Sequence, residues 1–227
     1  MILLSAILIY RQLDKRYLRV KRWKNSLNLR EHARVFQNLY QDVDGYGISR
    51  KAREKMDAFA YTYGEIDFLS FIALLSLVKP NENSVFYDLG SGTGKAIIAA
   101  AMVYPMKKTC GIELFAELHI RACQQKKILT TYERYQKVAA TVEFIQGDYF
   151  LIDMNDATVI FINSTALFGE EFENLSNKLN LLPHLQVIIT TSKPLLASNF
   201  SPFITTKVQM SWGVVTAYIQ LRKTKVD

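Results

Sequence analysis

An acid followed by three glycines marks the stretch of this chain best suited to binding a ligand. Residues 86–95 read Phe-Tyr-Asp-Leu-Gly-Ser-Gly-Thr-Gly-Lys, so that Asp88 precedes Gly90, Gly92 and Gly94. Glycine has no Cβ atom, and a glycine turn lets backbone N–H groups and a helix N-terminus approach a ligand closely. Its G-x-G-x-G spacing differs from that of dinucleotide sites and of phosphate-binding loops, although Lys95 follows it. The run therefore predicts a binding turn that holds no pyrophosphate.

Glu113 supplies a second acid, at the end of a predicted strand about 20 residues beyond the last glycine. A carboxylate at that position can accept from both hydroxyls of a ribose, and Asp88 suits a cationic group. The glycine turn and these two acids resemble the S-adenosylmethionine site of class I methyltransferases. A turn that merely packs a helix on a strand is the alternative, and the agreement of the three features argues against it.

The patterns of apolar residues organise the chain around this turn. Helices are predicted over about 10–40, 49–59 and 67–78, with a loop at 42–47, and strands and helices then alternate as far as Thr191. Two β-rich runs around Gly213 predict a hairpin. This order predicts an α/β protein with helices on both faces of its sheet. We expect a Rossmann-like class I methyltransferase fold, with a seven-stranded mostly parallel sheet, an antiparallel C-terminal strand and N-terminal helices.

Polar residues at the other strand ends are candidates for chemistry, because open α/β sheets bind ligands beyond the carboxyl ends of their strands. Asp148 follows the third strand, where its carboxylate could accept from the amine of an adenine covered by Tyr149. A turn-capping acid is the alternative for Asp148. Asn163 follows the fourth strand and is the reaction-specific position. The residues after it lack the Pro-Pro-aromatic turn of enzymes that methylate amide nitrogens, which disfavours that class.

Several short motifs in residues 55–222 resemble the Dot-one-like family of non-SET histone lysine methyltransferases, named for disruption of telomeric silencing. The resemblance implies that Glu65 binds the amino end of the cofactor's methionine. It also implies that Tyr63 and Tyr218 line a lysine channel. Asn163 would then orient the amine through its side-chain oxygen. The matching motifs are Thr62-Tyr63-Gly64-Glu65, Asp88–Gly92, Gly111-Ile112-Glu113, Gly147-Asp148-Tyr149, Phe161-Ile162-Asn163, Thr191–Leu195, and Ser211-Trp212 with Tyr218.

The chain departs from that family at three of its motifs. The family has Asn-Asn-Phe at 163–165, where this chain has Asn-Ser-Thr; it has Gln in place of Lys95 and Tyr-Tyr in place of Ala217-Tyr218. These changes predict an altered lysine channel, and the lack of a match before residue 55 favours lysine methylation over nucleosome binding. No metal site is expected. The predicted cofactor-binding residues are Glu65, Asp88, Gly90, Gly92, Gly94, Lys95, Glu113, Asp148 and Tyr149.

The N-terminal segment differs in composition from the rest of the chain. The formal net charge is +7, and residues 11–30 hold eight basic residues and one acid. Met1–Tyr10 is nearly all apolar but is only about half as long as a spanning helix, and it lacks the marks of a signal peptide. Three readings stay open: an anchor on an anionic membrane surface, a contact with nucleic acid or a nucleosome, and a helix that packs on the body.

The length and composition allow one substantial core, since 49% of the 227 residues are hydrophobic. We divide the chain into an apolar then basic segment (1–30), a helical cap with a cofactor loop (31–66) and an S-adenosylmethionine-dependent methyltransferase domain (67–227). Cys110 and Cys123 are too few for a disulfide scaffold and predict an intracellular, reducing compartment. A peripheral membrane location through the N-terminus stays open.

The residues and the resemblance together predict a protein lysine N-methyltransferase that transfers a methyl group in line to a deprotonated lysine ε-amine. Two other functions stay open. The apolar then basic N-terminus would also suit a class I methyltransferase of a membrane-associated or small-molecule acceptor. The altered turn at 163–165 would also suit a non-catalytic cofactor-binding module that docks a partner.

Overall fold

A computed structural model describes residues 15–56, 58 and 61–224 of the chain. The apolar segment Met1–Tyr10 and the first basic residues, 11–14, lie outside the described residues. Within the described ranges the helices are 15–26 (α1), Leu29–Tyr40 (α2), Gly45–Ala52 (α3), Phe68–Val78 (α4), Lys95–Val103 (α5), Ala116–Leu129 (α6), Gln136–Ala140 (α7) and Gly169–Leu181 (α8). The strands are Val85–Leu89 (β1), Lys108–Glu113 (β2), Val142–Gln146 (β3), Val159–Ile162 (β4), Val187–Thr191 (β5), Phe200–Met210 (β6) and Gly213–Arg222 (β7).

In the described part of the chain, seven strands form one sheet in the order β3-β2-β1-β4-β5-β7-β6. Strands β1 to β5 pair in parallel, and β7 runs antiparallel to both of its neighbours. This confirms the predicted fold class. The order of strands reverses between β1 and β4, where Leu89 lies opposite Ile162. The glycine turn after β1 and Asn163 after β4 therefore lie side by side, at the crevice where such sheets bind ligands.

Strand β1 is the centre of the core, and all five of its residues are buried. A parallel strand covered by helices on both faces is buried along its whole length in this way. On one face Phe86 packs with Phe71 of α4, and on the other Leu89 belongs to the same buried cluster as Leu175 of α8. Phe68 and Phe71, three residues apart on α4, are both buried.

Helix α2 of the helical cap contacts the glycine turn that follows β1. Helix α2 buries Leu39 and Tyr40 in a cluster with residues of α5 and α6. The hydroxyl of Tyr40 donates to the carbonyl of Thr93 at 3.2 Å. The cap and the sheet therefore meet where the sequence predicts the ligand.

Some element bounds differ from those predicted. Helix α3 begins at Gly45, inside the predicted loop 42–47, because the Asp44 side chain accepts from the N–H of Gly47 at 2.8 Å and caps the helix. It ends at Ala52, well before the predicted end near residue 59. The long helix expected after β2 is interrupted at Leu129. Strand β7 lies inside the sheet and β6 forms its edge, which the hairpin pattern alone does not specify.

Cys110 and Cys123 are both free thiols, and Cys110 is buried in the core. Across the described residues, no helix has the length and apolar character needed to cross a bilayer.

Candidate active site

A cleft opens beyond the carboxyl ends of β1, β2 and β4, and it consists of two adjoining cavities. The first extends toward Glu113 and Tyr149. The second extends toward Asp88 and Lys95. Four residues line both cavities and mark the place where they meet: Tyr63, Gly64, Gly90 and Asn163.

The glycine turn leaves room for a ligand on one side and for an aromatic ring on the other. Gly90 and Gly92 have φ angles of 79° and 56°, a region that favours glycine. A Cβ atom on Gly90 would meet no atom within 4 Å, so this residue faces open space. A Cβ atom on Gly92 would lie 2.7 Å from the ring of Tyr63. The glycines thus shape the cleft wall and admit Tyr63 to it.

Asp88 is a buried carboxyl group at the end of β1 and lines the second cavity. Among the described residues, no hydrogen-bond donor contacts its side chain. Burial, with the neighbouring charge of Glu113, raises the pKa of Asp88 to about 8. Removal of a carboxylate from water disfavours its charged form, and a bound cation would reverse this effect. The arrangement suits a ligand that brings a positive charge.

Glu113 is held rigidly between two loops. One of its carboxylate oxygens accepts from the N–H of Gly92 at 2.7 Å, and the other accepts from the N–H of Phe115 at 2.9 Å. Burial raises the pKa of Glu113, and these backbone hydrogen bonds oppose that rise. Each carboxylate oxygen can accept a second hydrogen bond. Glu113 is therefore fixed in place with capacity left for a pair of hydroxyls.

Tyr63, Glu65 and Lys95 form a hydrogen-bonded group at the second cavity. The Tyr63 hydroxyl donates to Glu65 Oε1 at 2.7 Å, and Lys95 Nζ lies 2.6 Å from Glu65 Oε2. Burial and the adjacent Glu65 raise the pKa of Tyr63 far above its ordinary value, so the phenol stays protonated. The group thus presents a carboxylate and an ammonium side by side, charges that complement the two ends of an amino acid.

Asn163 is held by hydroxyl groups on both of its flanks. Its Oδ1 accepts from Thr165 Oγ1 at 2.8 Å and from Thr191 Oγ1 at 2.7 Å. Thr165 Oγ1 also contacts Ser192 Oγ at 2.7 Å. A hydroxyl group can donate or accept, so the same pair of threonines can hold the amide with either polar edge toward the cleft. The oxygen that sequence reasoning reserves for a ligand is engaged by the protein in this structure.

Three of the residues predicted for the site do not line either cavity. Tyr218 is half-buried in β7, opposite Thr190 of β5. Asp148 is half-buried, and its Oδ1 accepts from the N–H of Phe150 at 2.8 Å, which matches the turn-capping alternative. Gly94 precedes α5, and a Cβ atom there would lie 2.5 Å from the ring of Phe144. Gly94 thus serves the packing of α5 against the sheet.

Sequence reasoning missed two parts of the cleft. Glu171, in the first turn of α8, lines the first cavity and lies 3.4 Å from the Tyr149 hydroxyl. Burial and the charges of Glu171 and Asp148 raise the pKa of that phenol. Tyr61 lines the same cavity and packs edge-on against Phe115, with ring centroids 5.3 Å apart. An acid in the first turn of the helix that follows the fourth strand was the signal available for Glu171.

The residues of the cleft fit S-adenosylmethionine on their own chemistry. The buried carboxyl of Asp88, which has no donor among the described residues, suits a cationic methionine end. Glu113 suits a ribose, and the aromatic residues Tyr149 and Phe115 line the far end of the first cavity. No group of His, Cys, Asp and Glu in the described part of the chain is arranged to hold a metal ion.

Comparison with models of known protein families assigns the chain to one of them. The family model described as "Histone methylation protein DOT1" matches residues 49–223, which include every residue of the cleft named above. The chain belongs to this DOT1 family. The match starts within α3, so α1 and α2 lie outside it.

Curated relatives and solved structures agree with the assignment. A protein-lysine N-methyltransferase of Saccharolobus islandicus (strain REY15A) is 30% identical over 87 residues, which are 38% of this chain and 50% of the relative. A histone-lysine N-methyltransferase, H3 lysine-79 specific, of Caenorhabditis elegans is 30% identical over 143 residues, 58% of this chain and 15% of the relative. The chain thus spans half or less of these two proteins.

Among solved structures, the chain is similar to an RNA methyltransferase from Salinibacter ruber in complex with S-adenosyl-L-homocysteine. The TM-score is 0.51 at 27% identity, and the match covers 69% of this chain and 94% of that chain. The chain is also similar to a magnesium protoporphyrin IX methyltransferase from Synechocystis with bound S-adenosylmethionine. The TM-score is 0.53 at 13% identity, and the match covers 81% of this chain and 94% of that chain. This second likeness concerns the fold alone. The chain has the fold and the cofactor site of a class I S-adenosylmethionine-dependent methyltransferase.

Proposed function

We propose that this protein transfers the methyl group of S-adenosylmethionine to the ε-amine of a lysine in another protein. Membership of the DOT1 family and the relatives that carry lysine methyltransferase names support this choice of acceptor. One observation supports the proposal that methyl transfer takes place at the junction of the two cavities. Asn163 and Tyr63 lie where the two cavities meet, between the end that suits a ribose and the end that suits an amino acid.

In the proposed mechanism the chain's own residues hold the two ends of the cofactor. The sulfonium of the cofactor supplies an electrophilic methyl group. Asp88 neutralises the positive charge of the methionine end, beside the Glu65–Lys95 pair. Glu113 holds the ribose, while Asp148 is retained as a proposed acceptor for the adenine amine at the side of Tyr149. With both ends held in this way, the cofactor would supply its methyl group at the junction lined by Asn163.

The acceptor lysine must reach this junction as a neutral amine. Lysine has an ordinary pKa of about 10.4, and entry into a cleft walled by Ile162, Leu167 and Tyr63 favours the neutral form by desolvation. The lysine would first lose one proton to solvent. Its neutral nitrogen would then form the N–C bond as the C–S bond breaks, so that the sulfur keeps the electron pair and the methylated nitrogen carries the positive charge. Alignment at about 3–3.5 Å supplies most of the rate enhancement. Asn163 is the proposed orienting group, with Tyr63 and Tyr218 as proposed walls of the channel.

The experiment that tests this function uses methyl-labelled S-adenosylmethionine and the full chain. Nucleosomes, free histones, membrane protein and bacterial lysate are offered in parallel, and labelled bands are hydrolysed to identify the methylated amino acid. Methyl-lysine is the expected product. Labelled RNA in the lysate, or tight cofactor binding without any labelled protein, would refute lysine transfer and favour a different acceptor or a binding module.

A pair of asparagine variants tests whether methyl transfer depends on the proposed site. Asn163→Ala should lower transfer by about 100-fold or more, because misplacement of the acceptor has costs of this order, and cofactor affinity should stay near that of the wild type. Asn83→Ala is the matched control, since Asn83 is exposed in the turn before β1. Near-normal turnover in Asn163→Ala would show that the acceptor site lies elsewhere.

A further inference from the structure

Helix α1 contributes little to the body of the protein. Among residues 15–26 only Trp23 is partly buried, and all the others are exposed. Trp23 anchors the helix, because its Nε1 donates to Ser76 Oγ of α4 at 2.8 Å and its ring packs against the core. Helices in proteins gain most of their stability by burying an apolar face. An α1 exposed on nearly every side therefore indicates that another surface covers it.

The exposed side chains of α1 are of two kinds. Residues 15–26 contain six lysines and arginines and no acid. Between these charges lie Tyr17, Leu18 and Val20, which are 63%, 46% and 48% exposed. Cations interleaved with exposed aromatic and aliphatic side chains are typical of helices that lie in the interface of a membrane.

The same combination continues onto the body next to Trp23. A groove between α1, α4 and β6 is lined by Lys24, Leu77 and Lys207, and Leu77 is 39% exposed. Apolar and cationic side chains thus extend from the helix across one side of the domain. The sequence directly before the basic segment adds more apolar residues, since Met1–Tyr10 contains one residue outside the hydrophobic class, Ser5.

We propose that α1 and this adjoining surface dock the protein on an anionic membrane. The lysines and arginines would lie at the phospholipid headgroups, with Tyr17, Leu18 and Val20 at the boundary with the acyl chains. Nucleic acid is the other polyanion that attracts such a charge. Its phosphate backbone gains nothing from exposed aliphatic side chains, so Leu18 and Val20 favour the membrane.

Vesicle flotation of the full chain tests this proposal. Vesicles of phosphatidylcholine alone are compared with vesicles in which about a quarter of the lipid is phosphatidylserine, and duplex DNA of random sequence is the competing ligand. Of the two kinds of vesicle, we expect the protein to bind the anionic one only. Each basic residue near such a surface contributes about fivefold in partition. Changing Lys15, Arg19, Lys21 and Lys24 to Gln should therefore lower binding by at least about 50-fold.

Two further variants separate charge, apolar contact and folding. The charge-matched control replaces four exposed lysines of the body by Gln and should keep most of the binding to anionic vesicles. These lysines are Lys79, Lys107, Lys127 and Lys137. Replacing Tyr17, Leu18 and Val20 by Ser should weaken vesicle binding and leave DNA binding unchanged. Cofactor affinity and circular dichroism confirm that each variant is folded. Equal losses in the two charge variants, no binding to anionic vesicles, or no effect of the Ser variant on vesicle binding would overturn the proposal.

Discussion

The raised pKa of Asp88 links the stability of the free protein to the proposed role of this residue in cofactor binding. Its pKa of about 8 lies far above the ordinary 3.8 of aspartate, because the carboxyl is buried and faces Glu113. Between these two values the folded protein retains a proton that the unfolded chain has lost. The free energy of unfolding therefore decreases as pH rises through this window. A cationic ligand should oppose the effect, since it favours the charged carboxylate.

Replacing Asp88 by Asn should separate these two roles. Asn matches the shape of the protonated acid, so the free variant should have a higher melting temperature than the wild type above about pH 5 and the same one near pH 3. Cofactor affinity should be lower than that of the wild type at pH 8 and above, and the two affinities should converge as the pH falls and Asp88 becomes protonated. In the wild type, affinity should rise up to about tenfold per pH unit until about pH 8, with one proton released on binding below it. Calorimetry in buffers of different ionisation enthalpy measures this proton, and a wild type without proton release would contradict the assignment.

Thr165 lies in the turn that is predicted from sequence to differ from the family, and its hydroxyl holds Asn163. Thr165→Val removes the hydroxyl that lies 2.8 Å from Asn163 Oδ1 and keeps the shape of the side chain. A lost hydrogen bond costs about 1 kcal/mol, so kcat for methyl transfer should decrease about fivefold to tenfold. Cofactor affinity and the acceptor KM should change little. Thr165→Ser restores the hydroxyl and should restore kcat, and a Ser variant as slow as the Val variant would indicate a packing role instead.

At the scale of elements, the turn between β1 and α5 depends on space as well as on backbone conformation. Gly92 and Gly169 have nearly the same φ, 56° and 54°. A Cβ atom on Gly92 would lie 2.7 Å from the Tyr63 ring, whereas one on Gly169 would meet nothing within 4 Å. Ala should cost about 1–2 kcal/mol of stability at both positions from backbone strain.

Only Gly92→Ala should also displace Tyr63, and with it the hydrogen bond to Glu65. We expect its cofactor affinity to decrease by about 10-fold or more, which corresponds to about 1.4 kcal/mol. Gly169→Ala should bind the cofactor nearly as the wild type does. Isothermal titration with S-adenosylhomocysteine, beside thermal melts of both variants, measures the two effects. Similar affinities in the two variants would mean that Tyr63 does not set the shape of the site.

The elements and the glycine turn could be predicted from sequence because the signals for them are local. The run 86–95 contains both the strand and the residues that must bend after it. Asn163 could be predicted because strand ends in such sheets converge. The position of Tyr218 could not, because it depends on the register of β7 against β5, which depends on contacts across the sheet. The start of α3 was missed because two glycines suggest a loop, while the cap from Asp44 stabilises a helix there.

At the scale of the whole molecule, the C-terminal hairpin holds the loop that carries Tyr63 and Glu65. The N–H of Ser211 donates to the carbonyl of Glu65 at 2.8 Å, and Ser211 Oγ accepts from the N–H of Glu65 at 3.0 Å. The Trp212 ring lies directly on Gly64, where it fills the space that a side chain would occupy. Two segments about 150 residues apart along the chain thus form one wall of the cleft. Binding at the cleft should therefore respond to changes at Ser211 and Trp212, although neither residue lines the two cavities.

Trp212→Ala should release this loop without unfolding the domain, because the ring is 44% exposed and lies at the hairpin turn. Hydrogen exchange of the amides of Glu65 and Asp67, which donate to Ser211 Oγ and to the carbonyl of Gln209, should speed up, since local opening becomes easier when packing over a loop is lost. Cofactor affinity should decrease up to about tenfold, a loss of about 1.4 kcal/mol. Phe203→Ala is the matched control, because Phe203 is 54% exposed on β6 of the same hairpin. Faster exchange and weaker binding in Trp212→Ala alone are expected, whereas equal effects in both variants would mean that the hairpin acts through general stability.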